Sequence, residues 1–183
     1  ISKEILKLNV LPNCDWLFFN SAFSFDSIQH LKNDFKTKKV AAFGNATANY
    51  IKKSGVKVDF IGAGSPQKVA QDFKALPLKN EIVFFPSSNR SIGTVASSLR
   101  EENKLIEITY NTVLLPHDLE GHSYLVFTSP SNVEAYFSAN NYCGEKVVSI
   151  GPSTTKALNR SGVNKVHQAY ESSELALADT VLS

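Results

Sequence analysis

Val40 to Phe73 reads VAAFGNATANYIKKSGVKVDFIGAGSPQKVAQDF, and Val147 to Thr180 reads VVSIGPSTTKALNRSGVNKVHQAYESSELALADT. Laid on each other without a gap, at an offset of 107, they agree at Val40/Val147, Gly44/Gly151, Thr47/Thr154, Ser54/Ser161, Gly55/Gly162, Val56/Val163, Ser65/Ser172 and Asp72/Asp179. The identities are few, but most fall where one element gives way to the next. A second match, at an offset of 108, pairs Trp16–Phe25 (WLFFNSAFSF) with Tyr124–Val133 (YLVFTSPSNV). Self-similarity of this kind marks a duplication, so the chain reads as two similar small domains.

Outward from the repeat, five apolar runs read as strands: Trp16–Phe19, Val40–Phe43, Ile82–Phe85, Leu125–Phe127 and Val147–Ile150. They alternate little and are rich in β-branched and aromatic residues, the pattern of parallel strands covered on both faces. Ala46–Ser54 and Ser153–Ser161 read as helices ending at Gly55 and Gly162, where a helix C-terminus favours positive φ. Pro130 and Pro152 stand where a first helical residue has no N–H to lose. Strands alternating with helices give a parallel α/β sheet, and the expected fold is two flavodoxin-like domains related by duplication.

Ile82–Glu107 (IVFFPSSNRSIGTVASSLREENKLIE) is a third strand and helix in the first half with no counterpart in the second. Lys3–Val10 and Leu105–Leu115 alternate in polarity and flank the first domain, as two antiparallel linking strands would. The expected organisation is a first domain over 9–106, linker strands over 1–8 and 107–114, and a second domain over 115–183, with a cleft between the domains. The chain opens at Ile1 and contains no methionine, so the missing strand and helix of the second domain are expected before residue 1.

With 183 residues, 43% hydrophobic and 20% charged, the chain can bury a sizeable core, which sets aside disorder and coiled coil. Nineteen Lys and Arg against 17 Asp and Glu make no field that would grip a phosphate backbone, so no nucleic-acid partner is expected. No apolar run approaches the roughly 18 residues that span a bilayer, and no stretch has the pattern of a signal peptide; the expectation is a cytoplasmic monomer away from membranes. Cys14 and Cys143 stand outside any CxxC pair, and both read as buried small residues.

His30, His117, His122 and His167 are scattered, without metal-ligand spacing, a nucleophile elbow or a Walker loop. No metal or cofactor is expected. Gly62-Ala-Gly64 reads as a loop before a helix capped by Ser65 rather than as a dinucleotide fingerprint, because no strand, glycine turn and helix surround it in the required order. What recurs is a strand ending in a small polar turn that opens a helix: Asn20-Ser21, Gly44-Asn45, Ser87-Ser88, Thr128-Ser129 and Gly151-Pro152-Ser153-Thr154. Ligands of open parallel sheets bind outside the carboxyl ends of the strands, where helix N-termini offer unpaired N–H groups to anions. Each Ser or Thr also has an ordinary reading as a helix cap; recurrence in both halves favours function. Charge is uneven as well, with 15 basic against 10 acidic residues over 1–112 and 4 against 7 over 113–183, which allows mild steering of an acidic ligand.

On these residues the sequence resembles the uroporphyrinogen-III synthase family. The resemblance rests on Leu125-Val-Phe-Thr-Ser-Pro-Ser131, Ile150-Gly-Pro-Ser-Thr154 with Ala157-Leu158, the Gly44-Asn-Ala-Thr-Ala48 turn and the tyrosine of Ile108-Thr-Tyr-Asn-Thr112. It implies two domains about a cleft, joined by a two-stranded ladder. It also implies conversion of hydroxymethylbilane, a linear tetrapyrrole polycarboxylate, into uroporphyrinogen III, with loss of water, inversion of the terminal ring and no cofactor. Tyr110 matches the tyrosine that assists departure of the hydroxyl, and Thr47 and Thr154 match threonines lining the cleft. With them Ser21, Gly44, Ser87, Thr128, Ser129, Gly151 and Ser153 form the expected substrate-binding set. The sequence departs from the family pattern at Asn20-Ser21, where Thr-Ser is frequent, and at Ser153, where Thr is frequent. Tyr110 has a second reading as a packed linker residue, and the whole chain has one as a non-catalytic two-domain protein that binds an anionic small molecule.

Overall fold

A computed structural model describes residues 1–78, 80–119 and 121–183. It divides into two compact units, one of Lys3–Thr112 and one of Ile1–Ser2 with Val113–Ser183. The first holds strands β1 (Ser2–Ile5), β2 (Trp16–Phe19), β3 (Lys39–Ala42), β4 (Phe60–Ile61), β5 (Val83–Ser88) and β6 (Lys104–Val113). Its helices are α1 (Ala22–Asp26), α2 (Asn45–Lys53), α3 (Pro66–Lys74) and α4 (Thr94–Ser97). The second holds β7 (Tyr124–Phe127), α5 (Pro130–Phe137), β8 (Lys146–Ser149), α6 (Pro152–Arg160), β9 (Val166–Gln168) and α7 (Glu174–Leu182).

The first sheet runs β1-β6-β5-β2-β3-β4. β2 pairs parallel with β3 and β5, β3 with β4, and β5 with β6. All four residues of β2 are buried, and they alternate between two cores. Leu17 and Phe19 join Phe25, Ile28, Phe35, Ile51 and Phe84 on one face. Trp16 and Phe18 join Phe73, Val83 and Phe85 on the other. Removing an aromatic side chain of this kind from water stabilises the fold by roughly 1.5–3 kcal/mol, which is why an unbroken apolar run settles in the middle of the sheet.

β5 and β6 depart from the sequence reading in two ways. The helix expected after β5 shrinks to α4, because Gly93 in the left-handed region (φ 70°) starts it late and the Ser98 hydroxyl donates back to the Val95 carbonyl at 2.7 Å at its end. The stretch read as the second linking strand pairs with β5 from Val83↔Lys104 onward, so it also extends this sheet.

The second sheet, β7-β8-β9, is parallel throughout. Leu125, Phe127, Val133, Tyr136, Val147, Leu158 and Val163 fill one face, while Val148 meets Ala169, Ala176 and Leu177 on the other. β7 corrects the expectation of strands covered on both faces: Leu125 and Phe127 are buried, but Val126 is 44% exposed. The reason is the reach of α7, which packs on β8 and β9.

The punctuation residues behave as read. Gly55 and Gly162 have φ of 80° and 88° and follow α2 and α6, and Pro130 and Pro152 open α5 and α6. Ser65 caps α3 by accepting from the Lys68 N–H. Cys14 is buried as expected, and burial pushes its thiol above the ordinary range. Cys143 is exposed, contrary to expectation. It lies in a polar turn where its N–H donates to the Glu145 carboxylate at 2.8 Å, which keeps the segment at the surface. Among the described residues no helix is long and apolar enough to cross a membrane, and no group of three or more His, Cys, Asp and Glu is arranged to hold a metal ion.

Candidate active site

Apart from the four-residue α4, which starts at Gly93 also without a side-chain cap, the described α-helices start in two ways. α1, α3, α5 and α7 are closed by the side chains of Ser21, Ser65, Ser129 and Ser173, each accepting from an N–H of its helix's first turn. α2 and α6, nine residues each, begin at Gly44 and Gly151 with no side-chain cap. Their first turns therefore keep N–H donors that no side chain occupies, at the positive end of the helix dipole. In α2 the Asn45, Ala46 and Thr47 N–H groups precede the first helical bond, from the Ala48 N–H to the Gly44 carbonyl at 2.9 Å. In α6 Pro152 has no N–H, the Thr154 N–H already donates to the Gly151 carbonyl at 3.1 Å, and Ser153 offers the remaining one.

The third helical residue is threonine in both, Thr47 and Thr154, exposed by 9% and 1%. Neither hydroxyl has a hydrogen-bond partner among the described residues. No fully sealed side-chain nitrogen or oxygen there lacks one, so both hydroxyls keep access to solvent although the residues are buried.

The remaining sequence-derived positions separate by what their side chains do. Ser21 forms a reciprocal cap with Ser24, each N–H donating to the other's hydroxyl at 3.2 Å. Ser87 is buried and donates to the Phe85 carbonyl of its own strand at 3.2 Å. Thr128 accepts from the Asn132 amide at 3.0 Å. Ser129 caps α5, accepting from the Asn132 N–H at 3.2 Å. Ser153 is exposed, next to Pro152 at the start of α6. Thus the hydroxyls of Ser21, Ser87, Thr128 and Ser129 are engaged within the protein, while those of Thr47, Ser153 and Thr154 have no partner among the described residues.

Tyr110 owes its position to an irregularity in β6. Ser87 pairs with Ile108 and Ser88 with Tyr110, so Thr109 is an extra residue in the ladder, the kind of bulge that redirects a neighbouring side chain. Thr109 turns inward to share a 2.7 Å hydrogen bond with Ser27. The Tyr110 ring meets Phe23 edge-on, centroids 5.0 Å apart, and the Lys3 ammonium lies 4.7 Å from the centre of the Phe23 ring. Tyr110 is 6% exposed, and its hydroxyl has no hydrogen-bond partner among the described residues; by the same reasoning it too keeps access to solvent.

Sequence reasoning missed a polar chain beside α6. Ser149, at the end of β8, shares a 2.7 Å hydrogen bond with the Thr155 hydroxyl, which lies 2.8 Å from Gln168 Oε1 at the end of β9. The rule that ligands gather at strand carboxyl ends was the signal that could have found it.

The family model for uroporphyrinogen-III synthase HemD matches residues 1–179. Among solved structures, the uroporphyrinogen-III synthetase of Helicobacter pylori superposes with a TM-score of 0.73 at 17% identity, covering 99% of this chain and 89% of that one. A mutant uroporphyrinogen III synthase of the extremely thermophilic bacterium Thermus thermophilus gives 0.61 at 16% identity, covering 93% and 76%. At these identities the structural likeness speaks for the fold, a mixed α/β arrangement with parallel sheets.

Proposed function

This chain belongs to the uroporphyrinogen-III synthase family, and we propose that Tyr110 together with the starts of α2 and α6 carries out the family's reaction in it. The protein cyclises hydroxymethylbilane to uroporphyrinogen III, with loss of water and inversion of the terminal pyrrole ring, a step of haem biosynthesis. Hydroxide leaves an electron-rich pyrrole as a stabilised azafulvene cation, so bond breaking needs modest help. The harder task is to choose which carbon closes the ring, and that is a matter of orientation.

The observation that supports this reading is the pair of nine-residue helices opened by glycine, each with a threonine at its third position whose hydroxyl has no partner among the described residues. The substrate is a polycarboxylate, and each helix start takes a carboxylate through N–H groups that no side chain occupies. Thr47 and Thr154 add one hydroxyl donor apiece. Fixed backbone dipoles do this without the side-chain reorganisation that long lysines would need. Tyr110, whose hydroxyl bonds to no described residue, donates its proton to the departing hydroxide as general acid.

The two units are, on this reading, copies of one design. Gly44 with Thr47 and Gly151 with Thr154 stand at the same offset in the sequence and at the same helical positions in their units. The test is turnover of hydroxymethylbilane by the purified protein, followed by the ratio of inverted to uninverted product. Wild-type protein yields mainly the inverted isomer; a Gly44→Ser variant, which supplies α2 with a side-chain cap at a position with room for a Cβ, loses affinity for substrate. Unchanged affinity in that variant would remove the α2 start from the site.

A further inference from the structure

We propose that Gln168 is a substrate-carboxylate contact held in position by Thr155, an inference that rests on the reading of the α6 start given above. β8 and β9 are parallel with Ser149 opposite Gln168, so both residues stand at the carboxyl end of the sheet, and α6 begins three residues after Ser149. Ser149 is fully buried, and the one partner of its hydroxyl among the described residues is Thr155, at 2.7 Å. The Ser149 proton therefore goes to Thr155. Thr155 in turn has two acceptors, Gln168 Oε1 at 2.8 Å and the Gly151 carbonyl at 3.3 Å. The shorter contact takes its proton.

This direction of donation fixes the amide. Its oxygen is held by Thr155, and its nitrogen, which has no partner among the described residues, is left to face solvent with its donors free. A side-chain amide anchored through its oxygen by the half-buried hydroxyl of Thr155, the residue after Thr154 in α6, is a preorganised N–H donor. Cyclisation of a flexible polycarboxylate needs such neutral donors to fix orientation. A bare surface glutamine serves poorly because its rotamer freedom is lost on binding; the Ser149–Thr155 chain removes that cost in advance.

The closing experiment compares wild type, Gln168→Glu and Thr155→Val in steady-state turnover of hydroxymethylbilane and in thermal unfolding. Gln168→Glu keeps the oxygen that accepts from Thr155 and replaces the outward amine by a charge that repels a carboxylate. KM is expected to rise at least tenfold, kcat to fall by less than threefold, and the ratio of variant to wild-type KM to narrow as salt is raised, because exposed charges are screened. Thr155→Val, which frees the amide without adding charge, is expected to raise KM threefold to fivefold, with no such narrowing. A KM for Gln168→Glu within twofold of an active wild type would overturn the role of Gln168. An inactive wild type would instead overturn the reading of the reaction, and this inference with it. A large fall in melting temperature with KM unchanged would show the chain to be structural.

Discussion

Thr47 and Thr154 occupy the same place in their helices, the third residue after a glycine that supplies no side-chain cap, and each is buried with a hydroxyl that bonds to no described residue. A threonine that served only to pack its helix would be replaceable by valine, which has nearly its shape. We expect Thr47→Val and Thr154→Val to leave the unfolding midpoint close to wild type and to weaken substrate binding by roughly 0.5–1.5 kcal/mol each. Substrate titration beside denaturant melts checks this, and a sharp fall in stability with normal affinity would assign both residues to packing.

Gly62 gives a prediction about the fold that frames the α2 start. A Cβ on it would collide with the Phe43 carbonyl oxygen and stand 2.6 Å from a Val69 methyl. The first contact is backbone and cannot turn aside, so Gly62→Ala should destabilise the protein by about 2 kcal/mol or more. Urea melts of the two proteins measure it.

The strands were legible because Trp16–Phe19 and Val40–Phe43 are unbroken apolar runs and Val147–Ile150 is interrupted only by Ser149, as burial on both faces leaves few polar positions. The same run at Leu125–Phe127 gave no warning that Val126 is exposed, since exposure is set by what packs above a strand. Ser21 was read as a binding residue from the recurring polar turn after a strand; its reciprocal cap with Ser24 was not legible, because that pairing lies outside the usual Ser-x-x-Glu signature. Gln168 escaped notice for a different reason: at an offset of 107 it falls on Ile61, so a search for what the halves share passes over it.

Asp59 ties the start of β3 to the loop before β4. Its carboxylate accepts from the Val40 N–H at 3.0 Å and pairs with Lys57 at 2.5 Å. Partial burial pushes this carboxyl up, but Lys57 and the Val40 N–H outweigh that and hold it below its ordinary range. A carboxyl depressed by folding adds stability above its unfolded value, near 4, and that contribution fades as pH falls through the lower folded value. Asp59→Asn should therefore cost about 1 kcal/mol at pH 7, in line with a partly screened charged contact. The difference between variant and wild type should close in urea melts at acid pH, below the folded value.

Tyr110 is the side chain to which a chemical step is assigned, and its surroundings set how large the effect of losing it should be. The bulge at Thr109 leaves the ring against Phe23 at 5.0 Å, so phenylalanine at this position retains the packing and loses the hydroxyl alone. Departure of hydroxide from the hydroxymethyl carbon is assisted by the electron-rich pyrrole that bears it, and water can supply a proton in place of the phenol. Tyr110→Phe should accordingly slow turnover by roughly tenfold to a hundredfold, about 1.4–2.7 kcal/mol of barrier, without abolishing it. The product should remain mainly the inverted isomer if, as proposed, the helix starts rather than this hydroxyl orient the chain. Rate and isomer ratio of the purified variant decide among the roles. A wild-type rate makes Tyr110 a packing residue of β6, and mainly uninverted product makes it a group that orients the chain.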